Sequence, residues 1–158
     1  MTEAVKQPAL DPTTVSPRTG SSYPAPFDEP CREREKRVLG DPLGLTQYGV
    51  NLTTLAPGAW SAQRHWHKHE DEFVYILEGE VTLVTDAGEQ LLGPGMAAGF
   101  PAGKEDGHCL INRSDRPASF LEVGSRAALE QGVYPDIDMT FEIRDRKASF
   151  FHKNGDPY

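Results

Sequence analysis

The sequence predicts an all-β fold, a sandwich or a closed barrel, and three observations carry that reading. Between Tyr48 and Ser125, short apolar runs alternate with turn residues. Gly and Pro together supply 28 of the 158 residues (15 + 13), more turn chemistry than a helical bundle carries. The turns come at regular spacing, and closing such a sheet into a barrel removes its exposed edges.

Taken in order, residues 1–45 read as a proline-rich N-terminal arm. Seven of the thirteen prolines fall there, a spacing that excludes long helices and central strands. Within the arm, Cys31 to Arg37 is the one short helical candidate, charged all round and otherwise a solvated turn. Tyr23, Phe27, Val38 and Leu39 are apolar enough to lie on a neighbour or a second subunit. Residues 46–126 form the barrel, with strands expected near 48–55, 62–67, 72–77, 80–86, 89–92, 96–100, 107–112 and 118–125. Pro57-Gly58, Glu78-Gly79, Gly93-Pro94-Gly95 and Pro101-Ala102-Gly103 are among the turns between them. Residues 127–158 are a C-terminal tail that packs on the barrel or on a dimer partner. Arg126 to Gln131 suits a helical turn, and Asp138–Arg144 and Ala148–Lys153 suit two more strands.

Composition narrows the function classes. The net charge is -8, and no basic block exists to grip phosphates, so nucleic acid is not an expected partner. No apolar run approaches the ~20 residues of a membrane span. Cys31 and Cys109 cannot build a disulfide framework, and the N-terminus lacks the apolar core of a signal peptide. The expected compartment is the cytoplasm.

Four of the five histidines stand out, His65, His67 and His69 close together and His108 some forty residues on, and the chemistry concentrates in three of them. His65 and His67 are two residues apart, so on a strand both imidazoles leave one face while Trp66 takes the other. Glu72 follows after enough chain to turn and begin an antiparallel strand that returns its carboxylate to the pair. His108 opens a later strand and enters from the opposite side. Three imidazoles and a carboxylate make a sensible ligand set for one divalent transition metal per chain (Mn, Fe, Ni, Zn, Co or Cu), with open positions for water or substrate. Asp71 is the alternative carboxylate. His152, in the tail with no acidic or histidine neighbour in sequence, reads as a surface residue.

These residues fall into two motifs that resemble those of the cupin superfamily. The first reads Gly58-AWSAQR-His65-Trp66-His67-KHED-Glu72-FVYILE-Gly79, and its Glu72-to-Gly79 spacing favours Glu72 over Asp71. The second reads Gly95-MAAGF-Pro101-Ala102-Gly103-KEDG-His108-CLI-Asn112, with four residues rather than the usual two before the histidine. The resemblance implies a double-stranded β-helix, a jelly-roll-like barrel, with metal ligands His65, His67, Glu72 and His108. The flanks are similar to small bacterial single-domain cupins, some of which carry the label sugar-phosphate isomerase. It also implies a homodimer, consistent with the outward aromatics of 72–77 and a proline-rich arm that cannot fold alone.

The functional expectation is a metal-dependent enzyme on a small polar metabolite: a sugar, sugar phosphate or organic acid, by isomerase, lyase or dioxygenase chemistry. The alternative is a non-catalytic module that binds or senses a small-molecule ligand in the same cavity. A third reading keeps the motif for structure alone. Gly93-Pro94-Gly95-Met96-Ala97-Ala98 imitates a dinucleotide fingerprint but opens no helix. Cys109 reads as a small buried hydrophobe facing away from the metal. His69, Glu70, Lys104, Glu105 and Asp106 read as ordinary turn residues.

Overall fold

The computed structural model describes residues 8–158; the first seven residues of the arm lie outside them. The arm supplies two 3-10 turns, Pro12–Thr14 and Glu29–Cys31, and the short strands β1 (Arg18–Thr19) and β2 (Arg34–Val38). The barrel follows with β3 (Tyr48–Leu55), β4 (Trp66–His67), β5 (Glu72–Glu78), β6 (Val81–Thr85), β7 (Gly88–Leu92), β8 (Ala97–Phe100), β9 (Cys109–Ile111) and β10 (Ala118–Ser125). The tail adds β11 (Leu129–Tyr134), β12 (Met139–Arg144) and β13 (Lys147–Phe151). Among the described residues no helix is long and apolar enough to cross a membrane.

One sheet runs β1-β2-β3-β10-β5-β8. Facing it are a four-stranded sheet, β13-β12-β11-β4, and a three-stranded sheet, β7-β6-β9. The last two are stitched together by the bridges Trp60↔Ile111 and His65↔His108. Neighbours distant in sequence thus close the jelly-roll. The core lies between the layers: Leu55, Val74, Ile76, Ala118 and Phe120 from one side meet Val81, Leu83, Leu92 and Leu110 from the other. A second cluster joins Tyr134, Met139 and Phe141 to Tyr23 and Phe27 of the arm.

Alternation sets the faces as expected on β5. Val74 and Ile76 point inward and are buried, while Phe73, Tyr75 and Leu77 point outward and are exposed. The turn after β5 needs Gly79. Its φ is +71°, and a Cβ there would sit 2.6 Å from the Pro117 carbonyl oxygen.

Two expectations change. Cys31 to Arg37 is not a helix: its first residue ends a 3-10 turn, and the rest leads into β2, paired with β3 from Arg34↔Leu55 to Val38↔Asn51. An all-round charged segment has no apolar stripe to bury as a helix, whereas the open edge of β3 offers it backbone partners. Pro30 and Pro42 fall outside β2, so the arm does supply a strand flanked on both sides. Arg126 to Gln131 forms no helical turn either, because from Leu129 onward it is β11, pairing with both β12 and β4. Tyr23 packs edge-on against Tyr134 and Phe150, at 5.5 and 5.4 Å between centroids, so arm and tail hold each other.

Candidate metal centre

The two motifs meet because of strand pairing. His65 and His108 are bridge partners: His108 N–H donates to the His65 carbonyl at 2.9 Å and His65 N–H to the His108 carbonyl at 3.2 Å. His67 lies two residues on, on the same face of the strand, and pairs with Gly132 of β11. Gly132 is required there, since a Cβ would sit 2.1 Å from the Phe141 ring and 2.5 Å from the Trp66 carbonyl oxygen. Glu72 comes from the opposite sheet, as the first residue of β5. The imidazoles therefore belong to one layer and the carboxylate to the other.

All four residues converge through the expected atoms. Glu72 Oε2 lies 2.9 Å from His108 Nε2, 3.3 Å from His67 Nε2 and 3.9 Å from His65 Nε2. The His65 and His67 Nε2 atoms are 3.1 Å apart. One ligand atom each from His65, His67 and Glu72 falls within a 4.8 Å cluster, and His108 joins it through Glu72. Asp71 is turned elsewhere and accepts the Ala102 N–H at 2.8 Å.

The electrostatics follow from burial and mutual contact. Burial, and then the charges of His108 and His67, push His65 down to about 3, so its ring is neutral at pH 7. Its Nδ1–H donates to the Gln63 carbonyl at 2.8 Å, which leaves the Nε2 lone pair facing the centre. Burial alone would raise the Glu72 carboxyl. Hydrogen bonds from His108 and His67 outweigh it and hold Glu72 well below the usual range. His67 shows the opposite balance: burial lowers it, but the Glu72 hydrogen bond and the charges of Glu72, Glu130 and Glu70 leave it raised. The Nε2 lone pair of His65 and the ionised Glu72 carboxylate, with the Nε2 atoms of His67 and His108 beside it, fit a borderline divalent transition metal.

The walls come from residues that the sequence did not assign. Phe100 stacks on His108 with centroids 3.6 Å apart and planes 3° from parallel. Phe141 meets His67 edge-on at 5.4 Å, and Tyr134 lies 5.7 Å from His65. Alternation along β8 leaves the facing of Phe100 open, and nothing local ties the tail aromatics to the site. A cavity of about 300 Å³ opens beside His67 and His108, between Phe100 and Leu83, with Thr85, Gln90 and Lys104 around it.

The remaining candidates separate cleanly. Burial raises the Cys109 thiol to about 12, so it offers no nucleophile at neutral pH. Asn112 is fully buried and structural, donating to the Leu55 and Arg116 carbonyls and accepting from Ser114. His69 is half exposed, and Lys104 sits 3.9 Å from Asp106. Glu70 is partly buried and accepts the Ala127 N–H at 2.8 Å, so it is not a freely solvated turn residue. His152 gains a partner that its sequence neighbours do not show, since its Nδ1 lies 2.9 Å from Asp138 Oδ2.

Residues 51–124 match the cupin domain family. The chain is 44% identical to a sugar phosphate isomerase from a cupin superfamily of Silicibacter pomeroyi, whose crystal structure superposes with a TM-score of 0.92 over 96% of both chains. A candidate sugar phosphate isomerase of Acidithiobacillus ferrooxidans is 27% identical over 77% of both chains, with a TM-score of 0.71. The polyketide cyclase RemF of Streptomyces resistomycificus is also 27% identical, over 74% of this chain and 78% of that one, with a TM-score of 0.59. No curated protein matches the chain.

Proposed function

This chain belongs to the cupin superfamily, and on that premise we propose that it is a metal-dependent isomerase of a small phosphorylated sugar. The observation that carries the reading is the meeting of three imidazole Nε2 atoms around the Glu72 carboxylate at the edge of a cavity. His65, His67, Glu72 and His108 hold one divalent transition metal per chain. When bound, that metal supplies Lewis-acid polarisation of a carbonyl and its neighbouring hydroxyl. Phe100 and Leu83 keep water off one side of the bound sugar, while Thr85 and Gln90 offer hydroxyl-binding groups. Lys104 gives the cavity lip a cation for the phosphate. The sugar-phosphate class is supported by the name of the Silicibacter pomeroyi relative, which matches nearly the whole chain.

The functional unit we assign is a homodimer. On the outward face of the six-stranded sheet Leu121 pairs with Leu52 and Tyr75, and Val123 with Val50 and Phe73. A second copy carries the same apolar rows, so a two-fold axis over this face sets like against like.

Elemental analysis of tag-free protein beside His67→Ala tests the metal. The expected result is about one transition metal per chain, lost in the variant. Less than about a tenth per chain, not restored by Mn, Fe, Ni or Zn, rejects it. NMR of the loaded protein with phosphorylated aldoses and ketoses tests the reaction. Metal-dependent interconversion is expected; saturable binding without turnover replaces the enzyme with a sensing module.

A further inference from the structure

A second group of ionisable residues gathers around His67. A ring nitrogen of His67 and one carboxylate oxygen each from Glu70 and Glu130 lie within 4.8 Å of one another. Glu130 is completely buried. Its oxygens accept the backbone N–H groups of Lys68 at 3.0 Å, His69 at 3.2 Å and Gln131 at 2.6 Å. Glu130 thus clamps the two residues after His67 to β11. Glu70 makes one backbone contact, from Ala127 N–H to its Oε1.

His67 meanwhile carries an unmet need. Its Nε2 is committed to His65 and Glu72, and its Nδ1 is buried without a hydrogen-bond partner. A buried N–H left unpaired gives up its hydration with nothing in return. Histidines that ligate a metal through one nitrogen almost always donate the other to a carboxylate, a carbonyl or water, which fixes the ring and strengthens the ligand.

We propose that Glu70 is a positioning residue that accepts the Nδ1–H of His67 when Nε2 ligates the metal, with Glu130 as the fixed anchor that holds the backbone between them. Glu70 rather than Glu130 takes this role because Glu130 Oε1 already accepts the Lys68, His69 and Gln131 N–H groups and its Oε2 shares the His69 N–H, whereas Glu70 holds one backbone contact, through Oε1. The inference rests on the metal centre proposed above and adds an outer carboxylate to it. It assigns the middle of the Lys68-His69-Glu70-Asp71 run to tuning the site rather than to solvation.

The test uses the full chain, with Zn²⁺ measured against a competing chelator in wild type, Glu70→Gln, Glu70→Asp and His67→Ala. Glu70→Gln is expected to weaken Zn²⁺ binding about tenfold or more, with the d–d spectrum of the Co²⁺-substituted protein unchanged in coordination number. Glu70→Asp, which keeps the charged carboxylate, recovers part of the loss. Zn²⁺ affinity in Glu70→Gln within about twofold of wild type overturns the proposal. A measurement on the zinc-loaded wild type needs no variant to fold. Histidine side-chain ¹⁵N NMR is expected to show a slowly exchanging His67 Nδ1–H, and a rapidly exchanging one overturns the proposal. If His67→Ala binds Zn²⁺ as tightly as wild type, the metal centre itself fails. If His67→Ala loses the metal and Glu70→Gln does not, only the role of Glu70 fails.

Discussion

Glu72 is held between opposing effects: burial favours its neutral form, and two imidazoles bonded to it favour the anion. Two more carboxylates show a simpler balance at the surface. Asp136 is held below the usual carboxylate range by hydrogen bonds from Arg64, and Asp41 by those from Arg126 and Arg146. A carboxyl whose folded pKa is depressed contributes stability above its unfolded value of about 3.9 and loses it as pH falls through the folded value. The melting temperature should therefore drop steeply below about pH 4. Asp136→Asn should make that acid limb shallower, and a limb of unchanged slope in thermal scans from pH 7 to 2 would dismiss the pairing as a stability term. At this scale the sequence was informative where spacing alone specifies geometry. His65 and His67 share a face because strands repeat every two residues. Glu72 over Asp71 came from the motif spacing, and in the structure Asp71 accepts the Ala102 N–H while Glu72 faces the imidazoles. His152 shows the limit, since its partner Asp138 lies on another strand turn.

At the scale of elements, β11 does the most for the site. It pairs with β4 beneath His67, brings Tyr134 beside His65, and carries Glu130. Gly132 is the contact point, where the Phe141 ring and the Trp66 carbonyl leave no room for a side chain. Gly132→Ala should push β11 off β4, costing about 2–4 kcal/mol in denaturant unfolding and weakening metal binding with it. A variant as stable as wild type would show that the sheet opens there without strain. The alternating runs made the barrel strands legible, and β3 and β10 fall where they were expected. β2 and β11 were not legible. Short polar segments take their conformation from the strand edge beside them, and local propensity contains no record of that edge.

At the scale of the whole molecule, the outer face of the six-stranded sheet presents an exposed apolar row. Phe73, Tyr75 and Leu77 are 43%, 39% and 39% exposed, beside the half-buried Leu121 and Val123. Under the proposed homodimer, sedimentation at micromolar concentration should report twice the 17.4 kDa chain mass, and Tyr75→Glu should shift it to the monomer. A wild-type monomer would reject the dimer. Arm and tail also meet at this scale, where Tyr23 and Phe27 pack on the cluster of Tyr134, Met139 and Phe141. Sequence by itself determined the all-β class, the inward face of β5 and the four residues that meet at the centre. The class, the β5 face and the His65, His67, Glu72 grouping depend on periodicities and spacings of two to seven residues, which a local reading captures, and His108 was added by the resemblance of the second motif. Tertiary structure alone decided that the imidazoles come from one layer and Glu72 from the other, that Phe100 and Phe141 wall the site, and that Glu130 anchors it. Each of those contacts joins residues tens of positions apart, through backbone pairing and burial that exist only once the two layers have closed.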